Sequence, residues 1–375
     1  MRKLWNILPP LMADNFGFIE MIRQTEGIGI IDDCGAYRLG RERRGGPDTR
    51  VCHTEINSDD VVTGTRQKVL DAFEKARMRY DVRFAFLSAG PCSAMIGTDL
   101  EEAAGQIAKE SGIPVKALKL SGHKTYDEGI AETLCGMTEL LCREQEPVEN
   151  SVNLLGANTF DWQEKMPEQI RGWFEERGIR VIANLGGKEV VENIEKMPAA
   201  SVNVVLTVSG LKAAEYLYRQ YGTPYLAAAP FGERWCGQLM ECIWEGKQME
   251  PRVSYDGEAD VLIVGEQLMA NAVRETLNRE YGIEGVQVAT FYKLSKKLAA
   301  PGDVRIRDEE DAKKLLGNDR FRMIIADPLL RTMAPGQVKW VDLPHKVLSL
   351  YGETEKLPSL FGRGLNRWLE EKGEI

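Results

Sequence analysis

Histidine is scarce in this chain, with His53, His123 and His345 the only three in 375 residues. No HExxH, no CxxC and no Cys/His finger spacing occurs, which argues against a structural zinc site. Nucleotide fingerprints are missing too. There is no GxxxxGKS or GxxxxGKT, and Val264-Gly265-Glu266-Gln267 holds one glycine where GxGxxG would let backbone approach a pyrophosphate. The chain is therefore expected to bind no nucleotide of its own. Positive charge is in deficit, 48 Lys and Arg against 57 Asp and Glu for a net charge of -9. That balance argues against nucleic acid or an anionic membrane as the main partner. No apolar run approaches the roughly 18 residues of a membrane helix. Pro9, Pro10 and Asp14 interrupt any signal-peptide core behind Arg2 and Lys3. A cytoplasmic location is expected. Seven cysteines are too few for a dense disulfide framework and read as thiols or ligands in a reducing compartment.

What is present fits a soluble globular protein, with 43% apolar and 28% charged residues. The length asks for two or three units. Strand-like apolar runs alternate with helical patterns throughout. In the first third, Ile28–Asp32, Val82–Ser88 and Val115–Leu120 read as strands, and Thr65–Met78, Asp99–Ser111 and Asp127–Cys142 as helices. After a polar break at 145–150 the pattern restarts, with strands at Val152–Gly156, Arg180–Leu185, Val202–Val208 and Tyr225–Ala229. Helices at Met166–Arg177, Leu211–Tyr221 and Glu233–Gly246 lie between and after them. A second break spans 247–257. A third unit follows, with strands at Ala259–Gly265, Val286–Phe291 and Phe321–Ala326 and a helix from Gln267 to Tyr281. The expected fold is α/β, three doubly wound parallel sheets flanked by helices. The units are placed at 1–148, 149–256 and 257–375, with a C-terminal helix near 357–371 packing back on the first.

Cys34 and Cys92 stand out. Each sits in a glycine-containing turn directly after an apolar run, Ile28-Gly29-Ile30-Ile31-Asp32-Asp33-Cys34 and Phe84-Ala85-Phe86-Leu87-Ser88-Ala89-Gly90-Pro91-Cys92. Such turns fall at the carboxyl edge of a parallel sheet, where open α/β folds bind ligands. Two thiols there suggest a metal site, and a two-fold dimer would supply the other two that an iron–sulfur cube takes. On spacing alone, a small buried residue at a strand end accounts for each cysteine better than a ligand does. Asp32 and Asp33 should raise the Cys34 pKa and make it a poor free nucleophile.

Other residues have plainer readings. Cys52 and His53 could line the same cleft, or belong to the loop leading to the Thr65 helix, with Ser58, Asp59 and Asp60 as caps. Cys135, Cys142, Cys236 and Cys242 lie on two predicted helices and read as structural. Arg38, Arg41, Arg43 and Arg44 form a basic run after Cys34, either a solvated loop or a docking surface. Pro344 holds Leu343 extended and ends a strand just before His345.

The stretch from Thr54 to Gly64, followed by Gly90-Pro91-Cys92-Ser93-Ala94-Met95-Ile96-Gly97-Thr98-Asp99, resembles nitrogenase component 1. That family includes molybdenum–iron protein subunits, their cofactor-assembly homologues and dark-operative tetrapyrrole reductases. Asp33-Cys34-Gly35-Ala36-Tyr37, Ala259–Gly265, Ile324–Leu330 and Leu343-Pro344-His345 fit the same pattern. The resemblance implies three Rossmann-like domains per subunit, paired across a two-fold or pseudo-two-fold axis. It implies an interface iron–sulfur cluster held by Cys34 and Cys92, with Cys52 a further candidate ligand. The family's earliest ligand cysteine is missing, and Cys92 is shifted one residue from the usual place, which Pro91 occupies. A [4Fe–4S] cluster shared between two chains, identical or not, is the form this leaves. The resemblance further implies electrons from a P-loop, ATP-hydrolysing iron protein and a substrate cleft near His123 and His345. The large metal cofactor of the family hangs from a cysteine where this chain has Thr207. A neutral threonine does not replace a thiolate toward iron, so the substrate is not expected to be dinitrogen. An assembly or ligand-binding scaffold of the same fold is the alternative.

Overall fold

Strand β1 (Ile28–Asp32) is buried at all five positions, including its glycine and its aspartate. A strand buried on both faces cannot alternate apolar with polar residues, which is why these strands read as unbroken runs. The computed structural model describes residues 6–34, 50–163, 165–249, 258–349 and 357–372. The basic run at Arg38–Arg44 and the Gly35–Tyr37 turn lie outside the described residues.

Three parallel sheets form the core. In the first, β2 (Val51–His53), β1, β3 (Ala85–Ala89) and β4 (Val115–Leu118) are neighbours in that order. The second runs β6 (Arg180–Leu185), β5 (Val148–Leu155), β7 (Ala200–Val205), β8 (Tyr225–Ala227). The third runs β11 (Val304–Arg305), β10 (Val286–Thr290), β9 (Val261–Val264), β12 (Met323–Ala326), β13 (Lys339–Asp342). In each sheet the chain begins at an inner strand, winds to one side, then crosses to the other. The order reverses between β1 and β3, between β5 and β7, and between β9 and β12. Ligand crevices open beyond the carboxyl ends of strands at such switch points.

Apolar contacts bind the units together. One cluster joins Leu134 of the first unit, Leu155 and Val205 of the second, and Val264 and Leu268 of the third. A smaller one lies between the first sheet and the helices Arg66–Arg79 and Leu100–Ser111.

Several expectations needed correction. Val51–His53 is a strand parallel to β1, not a loop. Ser58, Asp59 and Asp60 do not cap the Thr65 helix. They begin a separate helix, Ser58–Thr63, closed by a capping box between Asn57 and Asp60. The C-terminal helix is Gly364–Glu371, and it does not complete the first unit. Leu365, Trp368 and Leu369 pack with Trp162, Phe231 and Leu239 of the second unit. Asn366 accepts the Glu233 N–H at 3.0 Å and donates to Glu280 at 2.6 Å. The reason is tethering, because Phe361 and Gly362 bridge to Phe231 immediately before the helix starts.

Candidate functional site

The two cysteines meet because β1 and β3 end flush. Their register runs from Ile28↔Ala85 to Asp32↔Ala89, so the turns after both strands emerge side by side at the switch point. Cys34 follows β1 by two residues. Cys92 sits in the first turn of a short helix, Pro91–Ile96, not in an open turn. Gly90 is its N-cap and Pro91 occupies the first helical position, where a missing N–H costs nothing. The Cys92 Sγ lies 3.2 Å from Cys34 Sγ. Both thiols are free, Cys34 exposed and Cys92 partly buried.

Asp33 completes the group. Its carboxylate and the two sulfurs lie within 4.8 Å of one another, a set that could hold a metal ion. One Asp33 oxygen accepts the Cys34 N–H at 2.7 Å. Gly90 leaves room for it, since a Cβ there would stand 1.9 Å from Asp33 Oδ2. Sequence reasoning missed Asp33 as a donor and treated it only as a neighbouring charge. The hydrogen bond to Cys34, then that to Asp33, pushes the Cys92 thiol up to about 12. Metal coordination would have to displace that proton.

Asp32 organises the whole turn. Its buried carboxylate accepts the hydroxyls of Thr54 at 2.7 Å, Thr65 at 2.7 Å and Ser93 at 2.6 Å. Thr54 follows β2, Thr65 is the N-cap of helix Arg66–Arg79 and Ser93 lies within the Cys92 helix, so one buried anion ties three elements together. Two short helices, Ser58–Thr63 and Pro91–Ile96, carry exposed apolar side chains. Val62 is 86% and Met95 81% exposed, with Val61 and Ile96 beside them in sequence also exposed.

Cys52 does not join this group. It alternates to the opposite face from Val51 and packs with the apolar cluster around Ile30 and Val69. Burial pushes Cys135, Cys142 and Cys236 up to about 12. Cys242 is buried as well.

A second assembly forms where the three sheets' carboxyl edges converge. His345 is buried there. Its Nδ1 accepts the Tyr292 hydroxyl at 3.1 Å and the Val347 N–H at 3.3 Å. The proton therefore sits on Nε2, which faces Asp161 Oδ1 at 3.1 Å. Asp161 also accepts from the Tyr126 hydroxyl and, at 2.7 Å, from Asn158. Asp327 accepts the His345 N–H and the Ser349 hydroxyl, each at 2.8 Å. Burial, reinforced by the Asp161 charge, holds the Tyr126 and Tyr292 phenols well above their usual pKa. Glu266 is pushed up to about 8, first by burial and then by Asp161. His123 lies exposed on the turn before Tyr126 and takes no part in these hydrogen bonds.

This junction is narrow. The space lined by Asp161, Glu266 and His345 measures about 30 Å³, room for a water molecule and no more. Thr207, just past the end of β7, is fully buried and donates to the Gly156 carbonyl at 2.7 Å. Gly156 has φ +93°, and a Cβ there would lie 2.6 Å from that hydroxyl. The donor set does not fit a large metal cofactor, because among the described residues no thiol and no sizeable cavity stand where one would be needed.

Three parallel Rossmann-like sheets with a thiol pair at the first switch point define an α/β fold with a candidate metal site. Residues 34–253 match the family described as nitrogenase component 1 type oxidoreductase. The chain belongs to that family. It is 25% identical to the nitrogenase molybdenum-iron protein alpha chain of Methanothermobacter marburgensis over 206 residues, 52% of this chain and 42% of that one. The nitrogenase iron-molybdenum cofactor biosynthesis protein NifE of Klebsiella pneumoniae is 26% identical over 203 residues, 48% of this chain and 42% of its own. A light-independent protochlorophyllide reductase subunit of Heliobacterium modesticaldum is 23% identical over 198 residues, 51% and 37% of the two chains. Each match thus spans 42% or less of the relative's length. The solved structure titled nitrogenase Cp1 at pH 6.5 superposes with a TM-score of 0.75 at 14% identity, covering 99% of this chain and 93% of that one. At that identity the likeness concerns the fold.

Proposed function

We propose that the chain is one component of a nitrogenase-like oxidoreductase in the cytoplasm. It takes electrons from a separate ATP-hydrolysing iron protein and passes them to a substrate other than dinitrogen. The route is an iron–sulfur cluster held jointly by Cys34 and Cys92 and by a second component 1-like chain. The observation that carries this reading is the sulfur pair itself, 3.2 Å apart at an exposed switch point. Two thiols make half the usual ligand set of a cubane cluster, and Asp33 offers one further donor. When bound, such a group supplies one-electron transfer.

This chain's own residues do the positioning. Asp32 holds both cysteine turns through three hydroxyls. Exposed Val61, Val62, Met95 and Ile96 on the helices Ser58–Thr63 and Pro91–Ile96 give a second chain apolar side chains to cover. Thr207 supports the exclusion of dinitrogen, since its hydroxyl is already spent on Gly156. The narrow junction supports a substrate site nearer the thiol pair than His345, with His123 at the surface.

A specific observation favours a second reading, an assembly scaffold. One of the similar proteins is named for cofactor biosynthesis. Anaerobic purification separates the possibilities. The expected result is a dimer carrying iron and sulfide that is reduced by an iron-protein partner with ATP. Iron should be lost in Cys34→Ala and in Cys92→Ala. Full iron content in Cys92→Ala would sink the site, and an iron-loaded dimer that never takes up electrons would select the scaffold.

A further inference from the structure

Two thiolates on one tetrahedral metal, each about 2.3 Å from it, stand about 3.8 Å apart. The Cys34 and Cys92 sulfurs lie closer than that, at 3.2 Å, with the Cys92 S–H donated to Cys34. A disulfide bond needs about 2.05 Å, a further approach of about 1.1 Å. The pair therefore stands between the spacing of a chelate and that of a covalent bond.

The surroundings hold it there. The β1–β3 ladder runs up to Asp32↔Ala89, and the Gly90 N–H donates to the Asp32 carbonyl at 3.0 Å just before the Cys92 helix. The Asp32 carboxylate accepts the Ser93 hydroxyl at 2.6 Å on the far side of Cys92. The two cysteines are 58 positions apart, and folding has already met the entropy of bringing them together. What remains is within reach of side-chain rotation. Cys34 is exposed to a small oxidant and Cys92 is partly buried beside it. The buried cysteines have other partners. Cys135 directs its S–H to Glu139, Cys142 to the Ile194 carbonyl and Cys242 to the Gln248 carbonyl.

We propose that Cys34 and Cys92 close as a reversible intramolecular disulfide before metal enters, so that the site accepts metal only after a two-electron reduction. The oxidant is a small disulfide such as glutathione disulfide. Cys34 attacks one of its sulfurs, one glutathione leaves as thiol, and Cys34 carries the other in a mixed disulfide. Cys92 then attacks the Cys34 sulfur and the second glutathione leaves. Two protein thiols are oxidised, one small disulfide is reduced to two thiols, and the two cysteine protons end on the departing thiols. A dithiol reverses both steps. Disulfide sulfurs are not thiolates and do not ligate metal as thiolates do. The gate on metal entry rests on the metal site proposed above, whereas the disulfide itself does not.

The test uses the full chain, purified anaerobically with dithiothreitol and a chelator. After both are removed, the chain is brought to equilibrium with glutathione disulfide. Free thiols are then labelled with a maleimide in denaturant and counted by intact mass. Labels should fall from the seven cysteines present to five, with no glutathione retained. Digestion without reductant should show the Cys34 and Cys92 peptides joined within one chain. Cys92→Ser should instead retain one glutathione, on Cys34. Cys52→Ser should still lose two labels, and dithiothreitol should restore seven in the unsubstituted chain. Iron and sulfide offered to both forms should enter the reduced chain and not the oxidised one. Seven labels retained, a different cysteine pair, a link between two chains, or equal iron in the two forms would overturn the proposal. A Cys34–Cys92 disulfide in a chain that takes up no iron when reduced would support the disulfide and overturn the metal site.

Discussion

Replacing Asp32 with alanine should loosen the thiol site without touching a thiol. The carboxylate is fully buried and accepts three hydroxyls at 2.6–2.7 Å. A hydrogen bond to a charged acceptor contributes about 1.5–3 kcal/mol, so three set a ceiling of about 5–9 kcal/mol. Neighbouring bonds are not additive, and water entering the vacated volume would satisfy part of the loss. A net cost of about 3–5 kcal/mol follows, at the severe end for a single substitution. A chain of three units has no single unfolding free energy, so the reading must be local. Hydrogen exchange followed by mass spectrometry on peptides covering β1 and β3 reports it directly. Exchange there should accelerate by about a hundredfold or more, since every 1.4 kcal/mol is tenfold. Peptides covering β9 and β10 should be unchanged. Asp32→Asn keeps one acceptor oxygen and should fall between. Acceleration below about tenfold, or equal acceleration in the third sheet, would refute the claim that this one anion holds the turns.

Gly90→Ala should displace Asp33, whose oxygen lies 1.9 Å from the new Cβ position, and lower iron occupancy as measured by iron analysis of the anaerobic protein. Glu309 anchors the N-terminal segment by accepting the N–H groups of Asn6, Ile7 and Leu8. Lys313, then these N–H groups, lowers its carboxyl to about 2. A depressed carboxyl contributes its stability above the unfolded value, near 4.5, and loses it as pH falls toward about 2. Limited acid proteolysis should therefore release the N-terminus only below that window, whereas Glu309→Gln should release it at neutral pH. Glu266 has the opposite sign. Raised from 4.5 to about 8, it keeps a proton that the unfolded chain has lost, so stability declines as pH rises between those values. Glu266→Gln should flatten the pH dependence of hydrogen-exchange protection, corrected for intrinsic exchange, in peptides covering Gln267–Tyr281 across that range.

Much of this protein was legible in its residues. Leu211–Tyr221 and Gln267–Tyr281 are helices with the expected limits, because amphipathic spacing and a following glycine are local signals. β1 and β6 likewise begin and end where their apolar runs do. Cys34 and Cys92 were singled out because each follows a buried strand. Short elements were harder. Val51–His53 and Pro91–Ile96 are too brief to show a period, and their conformation comes from pairing with β1 and from Gly90 and Pro91.

The order of apolar runs and their punctuation determined three parallel sheets, and with them the edges at which chemistry could occur. Sequence could not say which side chains would meet at those edges. The 3.2 Å approach of two sulfurs 58 positions apart depends on the flush ending of β1 and β3. The recruitment of Asp33, the removal of Cys52 to the opposite face and the meeting of His345 with Asp161 all depend on how whole sheets pack. Local patterns record how each segment buries itself. Contacts between distant segments are decided by register and by the volume left when the units close, and no single stretch of chain encodes either.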